Sequence, residues 1–167
     1  NKINLKFKFQ DLEKLYVERI NILGNFITEE KVIRNSLIVD EGDAFNKMLL
    51  DKSINSIKSR GIFKSVGTEI KTSKTDNQKK VIDILVEEMP TGEIYAGAGT
   101  GTSGATVAAG IKENNYLGKG ISLSTNLTIS EDEIKGKFRV VNPNFRNSDR
   151  SLNTTVESSN SDFLSTG

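Results

Sequence analysis

The stretch GTGTSG, Gly99 to Gly104, has the spacing G-x-G-x-x-G by which a glycine-rich turn can cradle a pyrophosphate. That chemistry needs a strand before the turn, a helix after it and an acid about 20 residues further on. Ala105 to Lys112 instead alternates as a strand, with Val107, Ala109 and Ile111 on one side. Glu113 follows too soon to hold a ribose. The glycines therefore belong to a strand and its turn rather than to a nucleotide site. Glu131-Asp132-Glu133 could gather a cation, but reads as a turn of solvated carboxylates. The 167 residues include no His and no Cys. That removes the commonest general base, the thiolate nucleophile and the thiolate metal site, and it leaves the many serines without a triad. The sequence predicts no enzyme, no cofactor and no metal. A net charge of +1 gives no electrostatic case for nucleic acid.

Chemistry of this kind being absent, the elements themselves carry the information. The chain begins with Asn, ends in a polar run and reads as a piece of a longer protein. Charged residues crowd the first half, and ten of the 14 glycines lie at or after Gly92. Pro90-Thr91-Gly92 is the natural boundary. INLKFKFQ near the start alternates as a half-buried strand without obvious partners. Tyr16 to Leu23 reads as a strand turned by Gly24-Asn25. Thr28 is placed to cap a helix that starts with Glu29 and Glu30 and buries Ile33 and Leu37. After the Asp40 to Asn46 loop, Leu50, Ile54 and Ile57 form the stripe of a second helix. Arg60 closes that helix, with Gly61 at the left-handed position. Ile62 to Thr72 is a weakly patterned strand. Val81 to Glu87 is apolar on both faces apart from Asp83, as a central strand should be. The order is β-α-α-β-β, with Ile82, Ile84 and Val86 joining the helical residues in one core.

The second half alternates with period 2. Ile121, Leu123, Thr125, Leu127 and Ile129 oppose Ser122, Ser124, Asn126 and Thr128. Gly136, Phe138 and Val140 oppose Lys135, Lys137 and Arg139; Leu152, Thr154 and Val156 oppose Asn153, Thr155 and Glu157. Breaks are expected at Asn114-Asn115, Ser130-Glu131-Asp132 and Asn142-Pro143-Asn144. Repeated strands of roughly 9–11 residues with one apolar face fit a transmembrane barrel; a soluble sandwich fits the same pattern.

YVERINILGNFITEEKVIRNSL, EGDAFN and RGIFKSV together resemble the last POTRA domain of the BamA family of outer-membrane protein assembly factors. TGEIYAGAGTGTSGATVAAGIKENNYLGKG resembles that family's first barrel hairpin. Asn115 to Gly120 is similar to its N-[WF]-L-G-x-G turn with Tyr116 as the aromatic, and VNPNF is similar to its N-P-Y-F segment with Asn144 in place of an aromatic. The resemblance implies an α+β POTRA domain (β-α-α-β-β) over 15–90 and antiparallel strands of a truncated transmembrane β-barrel over 91–167. Residues 1–14 are then the end of the preceding POTRA domain. It further implies an outer-membrane location with the POTRA part in the periplasm. The implied partners are accessory assembly lipoproteins, unfolded outer-membrane clients and the lipid bilayer. The first barrel strand would form the lateral seam that templates client strands: Glu93, Ile94, Tyr95, Ala96, Gly97, Ala98, Gly99, Thr100 and Gly101. Arg34 and Glu41 match charged partner-binding positions, while Ile38 departs from an expected basic residue. The small residues of the seam strand have a second reading, close packing at a barrel bend. TamA-like and two-partner-secretion transporters share the domain plan, and a soluble POTRA-like binding module is a further alternative that the alternating strands oppose.

Overall fold

A computed structural model of the chain describes residues 14–101 and 104–161. The INLKFKFQ strand, with the expected end of a preceding domain, lies outside the described residues.

The first sheet is built from β1 (Tyr16–Leu23), β2 (Phe63–Thr72) and β3 (Lys79–Glu88), in the order β1-β3-β2. β3 takes the centre, parallel to β1 and antiparallel to β2; its Ile82, Ile84 and Val86 face is buried, while the expected apolar second face carries Asp83 and leaves Leu85 exposed, because the helices cover one side only. A register shift between Val17 and Arg19 lets Val17 and Ile20, three apart, both turn inward. Two helices, α1 (Glu30–Arg34) and α2 (Lys47–Ser59), supply the other layer. Asn46 caps α2 by accepting from the amides of Met48 at 2.9 Å and Leu49 at 3.3 Å. Its stripe of Leu50, Ile54 and Ile57 is buried against Ile82, Ile84 and Val86, and Gly61 ends it at φ +67°. All eight expected core residues share this cluster, Leu37 being partly buried.

Two details of α1 differ from expectation. Its cap is Glu29, not Thr28, and makes no side-chain cap bond. Thr28 is buried, and its hydroxyl is taken by a residue of the second half. The helix also stops at Arg34, because Ser36 and Leu37 bond back three residues in a tighter turn. Leu37 therefore reaches the core from beyond the helix.

The second sheet is a meander of β4 (Gly92–Gly101), β5 (Gly104–Tyr116), β6 (Ile121–Ser130), β7 (Glu133–Asn142) and β8 (Leu152–Ser161). All neighbours are antiparallel, and the five strands remain an open sheet. The register converts alternation along each strand into rows across the sheet. One row reads Ile94, Ile111, Thr125, Phe138, Val156; the next reads Tyr95, Gly110, Asn126, Lys137, Glu157. Ile94, Val107, Ile111, Leu127, Ile129, Ile134, Phe138, Leu152 and Val156 are all exposed, and all share one face. The expected break at Asn114-Asn115 is instead the end of β5, beside a register shift between Glu113 and Tyr116. The chain reverses at Leu117 to Gly120, where Leu117, Gly118 and Gly120 have positive φ.

Candidate functional site

β4 is an edge strand, paired with β5 alone among the described residues. Its ten residues are exposed throughout. Ile94, Ala96, Ala98 and Thr100 lie on the apolar face; Glu93, Tyr95, Gly97, Gly99 and Gly101 lie on the other. The two ends of the strand are held differently. Tyr95 crosses Gly110 of β5, and its hydroxyl bonds Asn126 Oδ1 on β6. A Cβ on Gly110 would stand 2.4 Å from the tyrosine ring, so that glycine makes the crossing possible. Past Tyr95 no such clamp is present among the described residues. A Cβ on Gly97, Gly99 or Gly101 would meet no atom within 4 Å, and none of the three has positive φ. Neither close packing nor a special backbone conformation within this chain calls for glycine there. Each still weakens a strand by roughly 0.5–1 kcal/mol relative to Ala.

Arg34 and Glu41 come together on the free edge of β1. Glu41 Oε1 accepts from the Ile20 amide at 2.9 Å, and Arg34 Nη2 donates to the Ile20 carbonyl at 3.0 Å. Arg34 also bonds Glu30 at 2.6 Å and stands 3.9 Å from Glu41. The preceding stretch of the same edge is covered by the 40–46 loop, since Val17 exchanges bonds with Asp43 and Gly42. The two side chains thus act as a short stand-in for a neighbouring strand, and they block strand addition at β1. Both remain about half exposed.

Among the described residues β2 is the open edge of this sheet. Lys64 and Lys71 on this strand turn onto β3. Lys64 pairs with Glu87 at 2.7 Å and Lys71 with Asp83 at 2.6 Å. The Lys71 ammonium, then the Asn21 amide bonded at 2.7 Å, hold the Asp83 carboxyl below the usual range.

Sequence reasoning missed the junction between the two sheets. Burial pushes the Glu88 carboxyl up, but the hydroxyl and amide of Thr28 and the amides of Ile27 and Phe26 outweigh it, and the net direction is down. The three amides donate at 2.6, 2.9 and 3.0 Å. With its folded value depressed, this carboxylate stabilises the loop near neutrality and loses that role only on acidification through the folded value. The fixed loop presents Thr28, whose Oγ1 accepts from Asn115 Nδ2 at 2.9 Å. Asn115 Oδ1 in turn accepts from the Gly120 amide at 2.8 Å. The Gly118 carbonyl takes the Glu29 amide at 2.8 Å, and a Cβ on Gly118 would stand 2.1 Å from the Ile27 carbonyl. The β5–β6 turn is therefore seated on the start of α1 by backbone contact. A second point of attachment lies at the end of α2, where Arg60 joins Ser36 at 2.6 Å to Asn144 in the β7–β8 loop. Desolvation pushes the Arg60 guanidinium down.

The POTRA family model, described as a surface antigen variable number repeat, matches residues 15–89. The outer membrane protein assembly factor BamA of Buchnera aphidicola is 29% identical over 126 residues, 75% of this chain and 20% of that protein. A crystal structure of BamA from Haemophilus ducreyi lacking POTRA domains 1–3 matches with a TM-score of 0.82 at 26% identity, over 90% of this chain and 29% of the other. Residues 15–89 carry a POTRA domain, and the chain as a whole resembles a BamA POTRA-plus-barrel segment. It spans about a fifth of the length of the curated relative. CdiB from Escherichia coli, at 14% identity and a TM-score of 0.64 over 88% of this chain and 28% of that one, shares the fold. Its place is the outer membrane, with the POTRA domain on the periplasmic side. The exposed apolar face of β4–β8 is the surface that such a setting requires.

Leu127→Arg in the intact protein is accordingly expected to disfavour membrane assembly by roughly 2–4 kcal/mol where it sits near mid-bilayer. Spin labels at 127 and 126 check the geometry. The label at 127 should be shielded from a water-soluble relaxing agent and the one at 126 accessible; equal access would refute the alternation.

Proposed function

We propose that this segment belongs to a machine that folds and inserts outer-membrane proteins, with β4 as the lateral seam that templates client strands. Residues 15–90 are its last POTRA domain, 91–167 the opening strands of its barrel and 1–14 the end of the preceding POTRA domain. An incoming strand in lipid must satisfy every backbone donor and acceptor, and an open strand edge offers that pairing. The observation that carries the reading is how β4 is held: clamped at Tyr95 and made loose beyond it by Gly97, Gly99 and Gly101, none of which packing among the described residues requires. The test is client assembly with this edge locked shut; assembly that continues unchanged refutes it.

Arg34 and Glu41 are the proposed contact for an accessory lipoprotein, supported by their paired, half-exposed charges beside α1. Glu41 also holds the Ile20 amide, so its replacement has two readouts. Glu41→Lys should reduce co-purification of the lipoprotein while the domain keeps its thermal transition within a few degrees. Full binding by the folded variant removes Glu41 from the contact.

A further inference from the structure

The POTRA domain and the barrel strands enclose a crevice of about 170 Å³ on the outer side of their junction. Lys31 comes from α1, Lys119 from the β5–β6 turn and Arg146 from the β7–β8 loop. Ile121 and Asn142, also in its wall, are the last residues of the apolar face of β6 and β7 on the POTRA side. The crevice therefore opens where the lipid-facing surface ends and the periplasm begins.

Its unpaired charge is positive. Lys31 pairs with Glu29. Among the described residues, Lys119 and Arg146 pair with no carboxylate, and both are exposed. Arg146 is held at φ +56° with its guanidinium 5.4 Å from the centre of the Phe145 ring, an arrangement that fixes the cation and leaves its N–H fork free. Asn144 and Asn147 add neutral amides to the wall. Two unpaired cations, a lysine shared with Glu29, neighbouring amides and the apolar Val32 and Ile121 in the wall together suit a phosphate joined to hydrocarbon.

We propose that this crevice seats the phosphate of an anionic phospholipid headgroup from the periplasmic leaflet. The inference rests on the barrel reading above, because the crevice meets lipid only if the apolar face does. A lipid seated there touches both domains, so it braces the same junction that Asn115 and Arg60 close from within.

The test uses the intact protein in nanodiscs of phosphatidylcholine mixed with phosphatidylglycerol. Native mass spectrometry counts the phosphatidylglycerol retained after release into detergent. Lys119→Gln/Arg146→Gln should lower the retained anionic lipid roughly tenfold relative to the unaltered protein, while phosphatidylcholine retention stays constant. Heat-modifiable gel mobility selects barrels that are folded. Unchanged phosphatidylglycerol retention by the folded double variant overturns the proposal. So does displacement of the lipid by inorganic phosphate, which would mark a site for a free anion. Lipid access of a label at 127, measured on the same samples, scores the barrel reading separately.

Discussion

Gly24→Ala is expected to unfold the POTRA domain, at a cost above about 4 kcal/mol, a large part of the stability of any such domain. Gly24 follows β1 directly and sits at φ +95°. A Cβ there would stand 2.0 Å from the carbonyl oxygen of Val86, in the central strand. That oxygen belongs to the backbone of the best-packed strand of the sheet, so neither partner can yield. Gly42 provides the control. It has nearly the same φ, +96°, but a Cβ there would meet nothing within 4 Å. Gly42→Ala should cost only the left-handed penalty, about 1–2 kcal/mol. Hydrogen exchange of the β3 amides in the intact protein separates the two: protection should collapse in Gly24→Ala and persist in Gly42→Ala. Equal protection would mean that β3 gives way and that only the dihedral angle matters.

The contrast between these glycines bears on what a sequence can disclose. Both read as turn residues, and nothing in the letters distinguishes them, because the difference is made by a strand over 60 positions away. Period carried much further. The α2 stripe, the apolar β3 and the alternation of ISLSTNLTI each follow from one face of one element meeting one environment. The central place of β3 was legible from its run of apolar residues, although only the face of Ile82, Ile84 and Val86 is covered, and Leu85 on the other face stays 40% exposed. The junction was not legible. Asn115 and Thr28 are 87 residues apart and each has an ordinary local explanation, a turn amide and a helix cap. Positive φ at Gly118 and Gly120 marks the turn but not what it rests on. The run Glu88-Met89-Pro90 also concealed its role. It looks like the end of a strand, and the carboxylate acts only because the chain 60 residues earlier loops back to present three amides. Arg34 and Glu41 show a similar limit. Their charges suggested a surface for a partner, while their geometry adds an internal task, covering Ile20 at the edge of β1.

If β4 is the working edge, closing it with a reversible covalent bond should stop client assembly. A Cys at Ala96, paired with a Cys on the last strand of the intact barrel, provides that bond. Oxidised protein should assemble clients at a small fraction of the normal rate and recover on reduction. Position 96 suits the purpose because it lies next to the Tyr95 clamp, where the strand is held and the crosslink disturbs it least. A second variant separates backbone from side chain. Ala98 lies in the loose stretch, exposed and flanked by Gly97 and Gly99. Serine there leaves the amide in place, whereas proline removes it and cannot sit within a paired ladder. Ala98→Pro should therefore impair assembly far more than Ala98→Ser, scored only in protein that reaches the membrane with normal heat-modifiable mobility. The combination is decisive because the two variants fail in different ways. Proline alone could act by weakening β4 against β5, but a disulfide closes the seam without removing a single β4–β5 bond. A locked protein that still assembles clients at the normal rate would show that strand templating takes place elsewhere.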